Sequence, residues 1–276
     1  MKTGFNDLDE VIKVNKGDLI VVASRPSMGK STFVLNVLSH IALDEKKSVL
    51  FFSLEDSKDK IINKLIISNS MVEAEKFQLY NKYKKENTEK PELSEDDWDR
   101  IAYGINLLKD APIYMASDAP YSIEDICIKS TRLKREKNID AIIIDYLQII
   151  QFNKKKILSR DEEITEILRK LKVLAKILDV PVIITSQLSR ECEKRDDKRP
   201  IIYDFANSKK GITTYSDKIL FLYRDSYYNK DNKSDITDII IAKNTEGAIN
   251  TIKVAWMPEY CMFGNTKVIK EGQNGQ

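Results

Sequence analysis

Residues 18–23 form an apolar run that leads directly into Ser24-Arg25-Pro26-Ser27-Met28-Gly29-Lys30-Ser31-Thr32. Few sequences constrain a fold as tightly as this one. It calls for a strand, a tight loop and the first turn of a helix, because the amphipathic residues Phe33, Val34, Val37, Leu38 and Ile41 follow at helical spacing. Such a loop suits a phosphate chain. Gly29 lets the backbone come close, Lys30 offers a point charge, Ser31 offers a hydroxyl to Mg²⁺, and the helix adds its positive end. Ser27, Met28, Gly29, Lys30, Ser31 and Thr32 are the expected cradle. The common pattern begins with Gly, and Ser24 stands there instead. The plain alternative is a glycine-containing turn, but the flanking strand and helix patterns argue for the phosphate site.

Further short apolar runs fall at 49–53, 113–115, 141–145, 182–186, 219–223, 239–242 and 252–255. The earlier ones are nearly unbroken in Val, Ile, Leu and Phe, as parallel strands covered on both faces require. A helix is predicted over 161–178, where Ile164, Ile167, Leu168, Leu171, Leu174, Ala175 and Leu178 make one stripe. Ser159 and Glu162 form its capping box. Residues 76–95 read as helix, loop, helix, with Ser94 as an N-cap. Strands alternating with helices predict an α/β, doubly wound, mostly parallel twisted sheet with helices on both faces. The last strands lack helices between them and predict an antiparallel edge. The expectation is one domain over 1–266 and a flexible tail over 267–276.

Ligands of such sheets lie at the carboxyl ends of the strands. The run Ile142-Ile143-Ile144 ends in Asp145, suited to holding Mg²⁺. Phe51-Phe52-Ser53-Leu54 ends in Glu55, suited to polarising an attacking water. Thr185-Ser186 ends in Gln187, whose amide can sense a terminal phosphate. The bland alternatives are a turn-opening Asp, an acid favourable to a helix dipole and an ordinary loop amide.

Composition sets limits. Of the 276 residues 32% are charged, yet the net charge is only +2, so any nucleic-acid site must be a local cluster. Cys127, Cys192 and Cys261 with the lone His40 do not match familiar zinc spacings and suggest a reducing cytoplasm. No apolar run approaches a membrane span, and Met1-Lys2-Thr3-Gly4 leads straight into the domain without a signal peptide.

Several motifs together resemble the motor domain of DnaB-type replicative DNA helicases. They are Thr3-Gly4-Phe5-Asn6-Asp7-Leu8-Asp9, the Arg25–Lys30 loop, Ser53-Leu54-Glu55, Ile144-Asp145-Tyr146-Leu147-Gln148, Ser186-Gln187-Leu188-Ser189-Arg190, Asp197-Lys198-Arg199-Pro200 and Tyr223-Arg224-Asp225. The likeness runs over about 3–263. It implies a RecA-like P-loop ATPase using ATP and Mg²⁺, assembled as a hexameric ring on single-stranded DNA, with primase or a loader as further partners. It implies that Lys30 and Ser31 hold phosphate and Mg²⁺, that Glu55 is the base, that Asp145 holds Mg²⁺ and that Gln187 couples. Such helicases carry an N-terminal helical domain and a linker helix that these residues do not include, so ring formation by this chain is expected to be weaker. The family's Lys-x-Arg-Asn-Gly reads Lys243-Asn244-Thr245-Glu246-Gly247 here. Lys243 is retained as a cation for the adjacent subunit's γ-phosphate, but Thr245 replaces the arginine finger. Slow hydrolysis is expected, or a substitute cation such as Lys243 or Arg224.

Two segments are expected to face DNA. Residues 190–199 carry Arg190 and four other cations interleaved with acids, a pattern equally open to a solvated polar loop. Residues 204–216 are read as a flexible loop in which Ala206-Asn207-Ser208-Lys209-Lys210 replaces the family's Arg-Glu-Ser-Gly-like run, so Lys209, Lys210 and Gly211 are the candidate contacts. Lys154-Lys155-Lys156 reads as a solvated turn, Trp98 and Trp256 as packing residues, and Tyr227-Tyr228 as a pair after an edge strand that either flanks adenine or packs. Two functions remain open: a translocating motor, or an ATP-binding paralogue that regulates or loads a helicase. A small-molecule kinase would need an Arg-rich lid and an acceptor pocket, and neither is visible.

Overall fold

The computed structural model describes residues 1–86, 93–117, 121–152, 159–205, 208–229, 231–232 and 234–266. Lys154-Lys155-Lys156, Ala206, Asn207 and the tail over 267–276 lie outside them. Six strands run parallel: β1 (Leu19–Ser24), β2 (Val49–Ser53), β3 (Ile113–Ala116), β4 (Ala141–Asp145), β5 (Val182–Gln187) and β6 (Lys218–Tyr223). The strands β7 (Ile236–Asn244), β8 (Thr251–Met257) and β9 (Met262–Asn265) continue the sheet antiparallel, in the order β3-β2-β4-β5-β1-β6-β7-β8-β9. The expected parallel sheet with an antiparallel edge is therefore present. The short, glycine-containing β9 is an addition that carries no periodic signal.

Two cores explain why the central runs are unbroken. Leu19, Val21 and Ala23 pack on one face with Ile126 of α6 (Ile123–Lys137) and Ile167 and Leu171 of α7 (Arg160–Leu178). Ile20 and Val22 pack on the other with Phe33, Val34 and Val37 of α2 (Lys30–Ser39) and Leu8 of α1 (Asn6–Val11). A strand buried on both sides has no polar face to alternate with. The α7 stripe is buried as its spacing predicts, and Ser159 and Glu162 form the capping box. Ser94 and Asp97 do the same for α5 (Glu95–Lys109), which follows α3 (Lys58–Ser70) and α4 (Ala74–Glu86). Each such box satisfies N–H groups that the helix itself leaves bare, worth ~1 kcal/mol.

Two readings of the chain need correction. Residues 209–215 are not a flexible loop but a helix, α8 (Lys209–Tyr215), packed against α7. Tyr227 and Tyr228 lie in the one-turn α9 (Asp225–Tyr228), and the strand before it, β6, is interior to the sheet rather than at its edge.

Candidate active site

Because the six strands are parallel, their carboxyl ends deliver residues to one rim. In register, Ser24 stands opposite Gln187 and Ser53 opposite Asp145. The Leu54 N–H donates to the Asp145 carbonyl at 2.9 Å, which brings the turn bearing Glu55 alongside the tip of β4. Gly29, at φ +91°, turns the chain from β1 into α2. A Cβ there would lie 2.7 Å from Phe263 Cζ and 3.3 Å from Trp256 Cζ3, so aromatic side chains of β8 and β9 back the loop. Only glycine meets both the dihedral and the space.

Lys30 lies within electrostatic reach of Asp145, Glu55 and Arg25. Burial, the largest influence, pulls the Lys30 ammonium down to about 8; Asp145 and then Glu55 oppose it, and Arg25 reinforces it. Lys30 Nζ lies 3.4 Å from both the carbonyl and the hydroxyl oxygen of Ser24, long and weak contacts for a cation. Tyr146 flanks both acids: burial first, then the charges of Glu55 and Asp145, raise its phenol. Asp145 is buried and accepts from the Thr185 hydroxyl of β5. Gln148 clamps the end of β5: its Oε1 accepts from Gln187 N at 3.2 Å and its Nε2 donates to Ser186 Oγ at 2.9 Å.

Arg224, at the end of β6, reaches the loop from the opposite side. Its Nη2 donates to the Ser27 carbonyl at 3.1 Å, and its guanidinium lies 5.1 Å from the Trp256 ring centre. Its Nη1 is buried with no hydrogen-bond partner among the described residues. An unsatisfied charged donor beside a phosphate loop is costly unless a ligand meets it.

A likeness to known proteins accompanies this geometry. The model of the DnaB-like helicase C terminal domain matches residues 1–265. The chain belongs to that family. It is 38% identical over 265 residues to the replicative DNA helicase DnaB of Geobacillus stearothermophilus, covering 95% of this chain and 56% of that protein. It is 37% identical to the replicative DNA helicase DnaC of Bacillus subtilis (strain 168), with the same coverage. The chain thus spans about half the length of these curated relatives. Among solved structures, one described as an ATPase domain superposes with a TM-score of 0.87 at 34% identity, covering 96% of this chain and 90% of that one. A DnaB-like replicative helicase, studied with its interactions with primase, superposes at 0.86 and 34% identity, covering 96% of this chain and 61% of that one. The mostly parallel sheet is the RecA-like fold of these ATPase domains.

Within this DnaB-like domain the remaining candidates are distributed unevenly. Lys30, Ser31, Glu55, Asp145, Gln187 and Arg224 share the rim. Lys243 does not. It pairs with Ile219 at the start of β6, roughly 16 Å from the rim at ~3.3 Å per residue. There its ammonium donates to the carbonyls of Thr213 (2.8 Å) and Ser216 (2.5 Å), and burial lowers its pKa. Lys243 is therefore no catalyst for the loop of its own chain. Thr245 sits exposed in the adjoining turn, its N–H donating to the Asp217 carbonyl.

On the expected DNA side, Arg190 is exposed in a 3₁₀ turn (Arg190–Lys194). Lys209 stacks 3.4 Å from the Tyr203 ring centre, and Lys210 is exposed. Gly211 is a correction: it is buried, and a Cβ would meet the Thr165 backbone at 2.8 Å. That glycine serves the α7–α8 contact rather than a ligand. Sequence reasoning passed over Tyr146, Gln148 and Trp256 as site residues. The motif Asp145-Tyr146-Leu147-Gln148 was the available signal for the first two, while Trp256 reaches the loop only by sheet topology.

Proposed function

We propose that this chain is the ATP-hydrolysing motor domain of a replicative-type DNA helicase, acting on single-stranded DNA. The observation that carries the reading is the gathering of Lys30, Asp145 and Glu55 at the carboxyl rim of the sheet, with the Leu54 N–H bonded to the Asp145 carbonyl and both acids within electrostatic reach of the half-buried Lys30. The donor set fits a nucleotide with Mg²⁺. Ser31 and Asp145 supply hard oxygen ligands, and Arg224 holds a buried donor in reserve. Bound Mg²⁺ would neutralise charge on the phosphate oxygens. Lys30 and the loop N–H groups bind the phosphate chain, Glu55 orients water and accepts its proton, and Tyr146 shields both acids on one side. The acids lie toward β2 and β4 and Arg224 lies toward β6, so the terminal phosphate points to the former. Arg224, stacked on Trp256, then meets the ribose or base end and is no substitute finger.

Lys243 and Thr245 lie at the far end of the sheet, where they can act only on another subunit. The ring assembly and a site completed by a neighbour follow from this reading. So do primase or loader partners and a cytoplasmic location. The likeness to proteins named replicative helicases favours the motor over a regulatory paralogue. The deciding experiment mixes the chain with ATP, Mg²⁺ and a forked duplex, and measures particle mass with and without nucleotide. Unwinding that disappears in Lys30→Ala supports the motor; nucleotide binding without unwinding, in an associated particle, refutes it.

A further inference from the structure

A single side chain joins the phosphate loop to the exposed turn that bears Arg190. Arg25, the second residue of the loop motif, is mostly buried. Its Nε donates to Glu193 Oε1 at 2.9 Å, and its Nη1 donates to the Leu188 carbonyl at 2.7 Å. Glu193 belongs to the turn Arg190–Lys194, in which Arg190 and Lys194 are exposed and Cys192 anchors the turn in the core. The Leu188 N–H donates to the Ser24 carbonyl at 3.1 Å, so the two segments are stitched in both directions. Arg25 is also close enough to Lys30 to act on its ammonium. Phosphate bound at Lys30 therefore places negative charge within range of Arg25 and competes with Glu193 for the guanidinium. On the other side, Arg190 opens the same short turn that carries Glu193.

We propose that Arg25 and Glu193 are positioning residues that couple occupancy of the phosphate loop to the DNA affinity of the Arg190–Lys194 turn. This rests on the nucleotide and DNA reading above, and it is distinct from the coupling expected of Gln187, whose main chain is held by Gln148 instead. Linkage makes the effect reciprocal: nucleotide changes DNA affinity by the factor by which DNA changes nucleotide affinity.

The test measures anisotropy of a fluorescein-labelled oligo-dT on the 276-residue chain, with and without AMP-PNP and Mg²⁺. In the native sequence AMP-PNP is expected to shift DNA affinity by at least ~5-fold. Glu193→Gln, which keeps the shape and removes the charge, is expected to reduce that shift to less than about twofold, with Glu193→Asp restoring part of it. AMP-PNP affinity without DNA rises in Glu193→Gln, where the carboxylate that competes with phosphate for Arg25 is gone, and rises less in Glu193→Asp. An ion pair that only stabilises the fold lowers the melting temperature and leaves the shift intact. That result overturns the link, as does a native chain that binds both ligands with no shift. A native chain that ignores AMP-PNP overturns the nucleotide reading itself, with Lys30→Ala as the reference for lost binding.

Discussion

Gly29→Ala probes the loop and its aromatic backing together. The native φ of +91° costs an L side chain ~1–2 kcal/mol. The new methyl would stand 2.7 Å from Phe263 Cζ and 3.0 Å from Cε2, in a ring that is itself 3% exposed and has little room to move. Overpacking of that kind costs a further ~1–3 kcal/mol. The expected loss is ~2–5 kcal/mol, or a drop in melting temperature of roughly 4–20 °C for a chain this size. Thermal unfolding followed by circular dichroism reads it. Adding Phe263→Leu frees space at the ring edge without touching the dihedral. The double variant should therefore be ~1–2 kcal/mol more stable than the two single losses imply. If the losses add to within about 0.5 kcal/mol, the ring does not shape the loop and the steric argument is wrong.

Other outcomes follow from the same structure. The Lys30 ammonium titrates near 8 in the free protein, so affinity for the triphosphate should fall as pH rises through that value, by up to about tenfold per unit. The stability of the free chain moves the other way: the depressed lysine binds fewer protons folded than unfolded between about 8 and its ordinary 10.5, so stability rises across that window. Calorimetric titration with AMP-PNP and melting curves at several pH values check both signs, and a flat affinity profile counts against a buried Lys30. Thr245→Arg should raise steady-state ATPase, by as much as ~10³-fold if the guanidinium reaches a neighbour's phosphate; no gain contradicts that placement. Lys218 is fully buried and donates to Asp18 Oδ2 at 2.6 Å, so Lys218→Ala should destabilise by ~3–5 kcal/mol in urea titrations, and a loss below about 1 kcal/mol would show that the pair is unimportant. Lys210→Ala should flatten the log–log salt slope of single-strand binding by about 0.7, the worth of one phosphate contact, and an unchanged slope removes Lys210 from the interface.

Much was determined by local order alone. Unbroken apolar runs dictated buried parallel strands, because a strand covered on both faces has no use for alternation. The Gly29-Lys30-Ser31 turn, the acids at the tip of β4 and just beyond β2, and the Ser-x-x-Glu box of α7 each work within a few residues of chain, so their spacing is legible. What only the tertiary structure decided involves residues far apart in sequence. Sheet order placed Arg224 and Trp256 over the loop, far along the chain from Ser27 and Gly29. It sent Lys243 to the opposite end of the sheet, capping α8 instead of meeting its own phosphate loop. Gly211 looked like a flexible contact because glycine suits both loops and close helix packing, and only the approach of Thr165 tells them apart. Spacing along a chain encodes what neighbours in sequence do to one another. Strand order, which depends on how whole faces bury against each other, selects the distant partners.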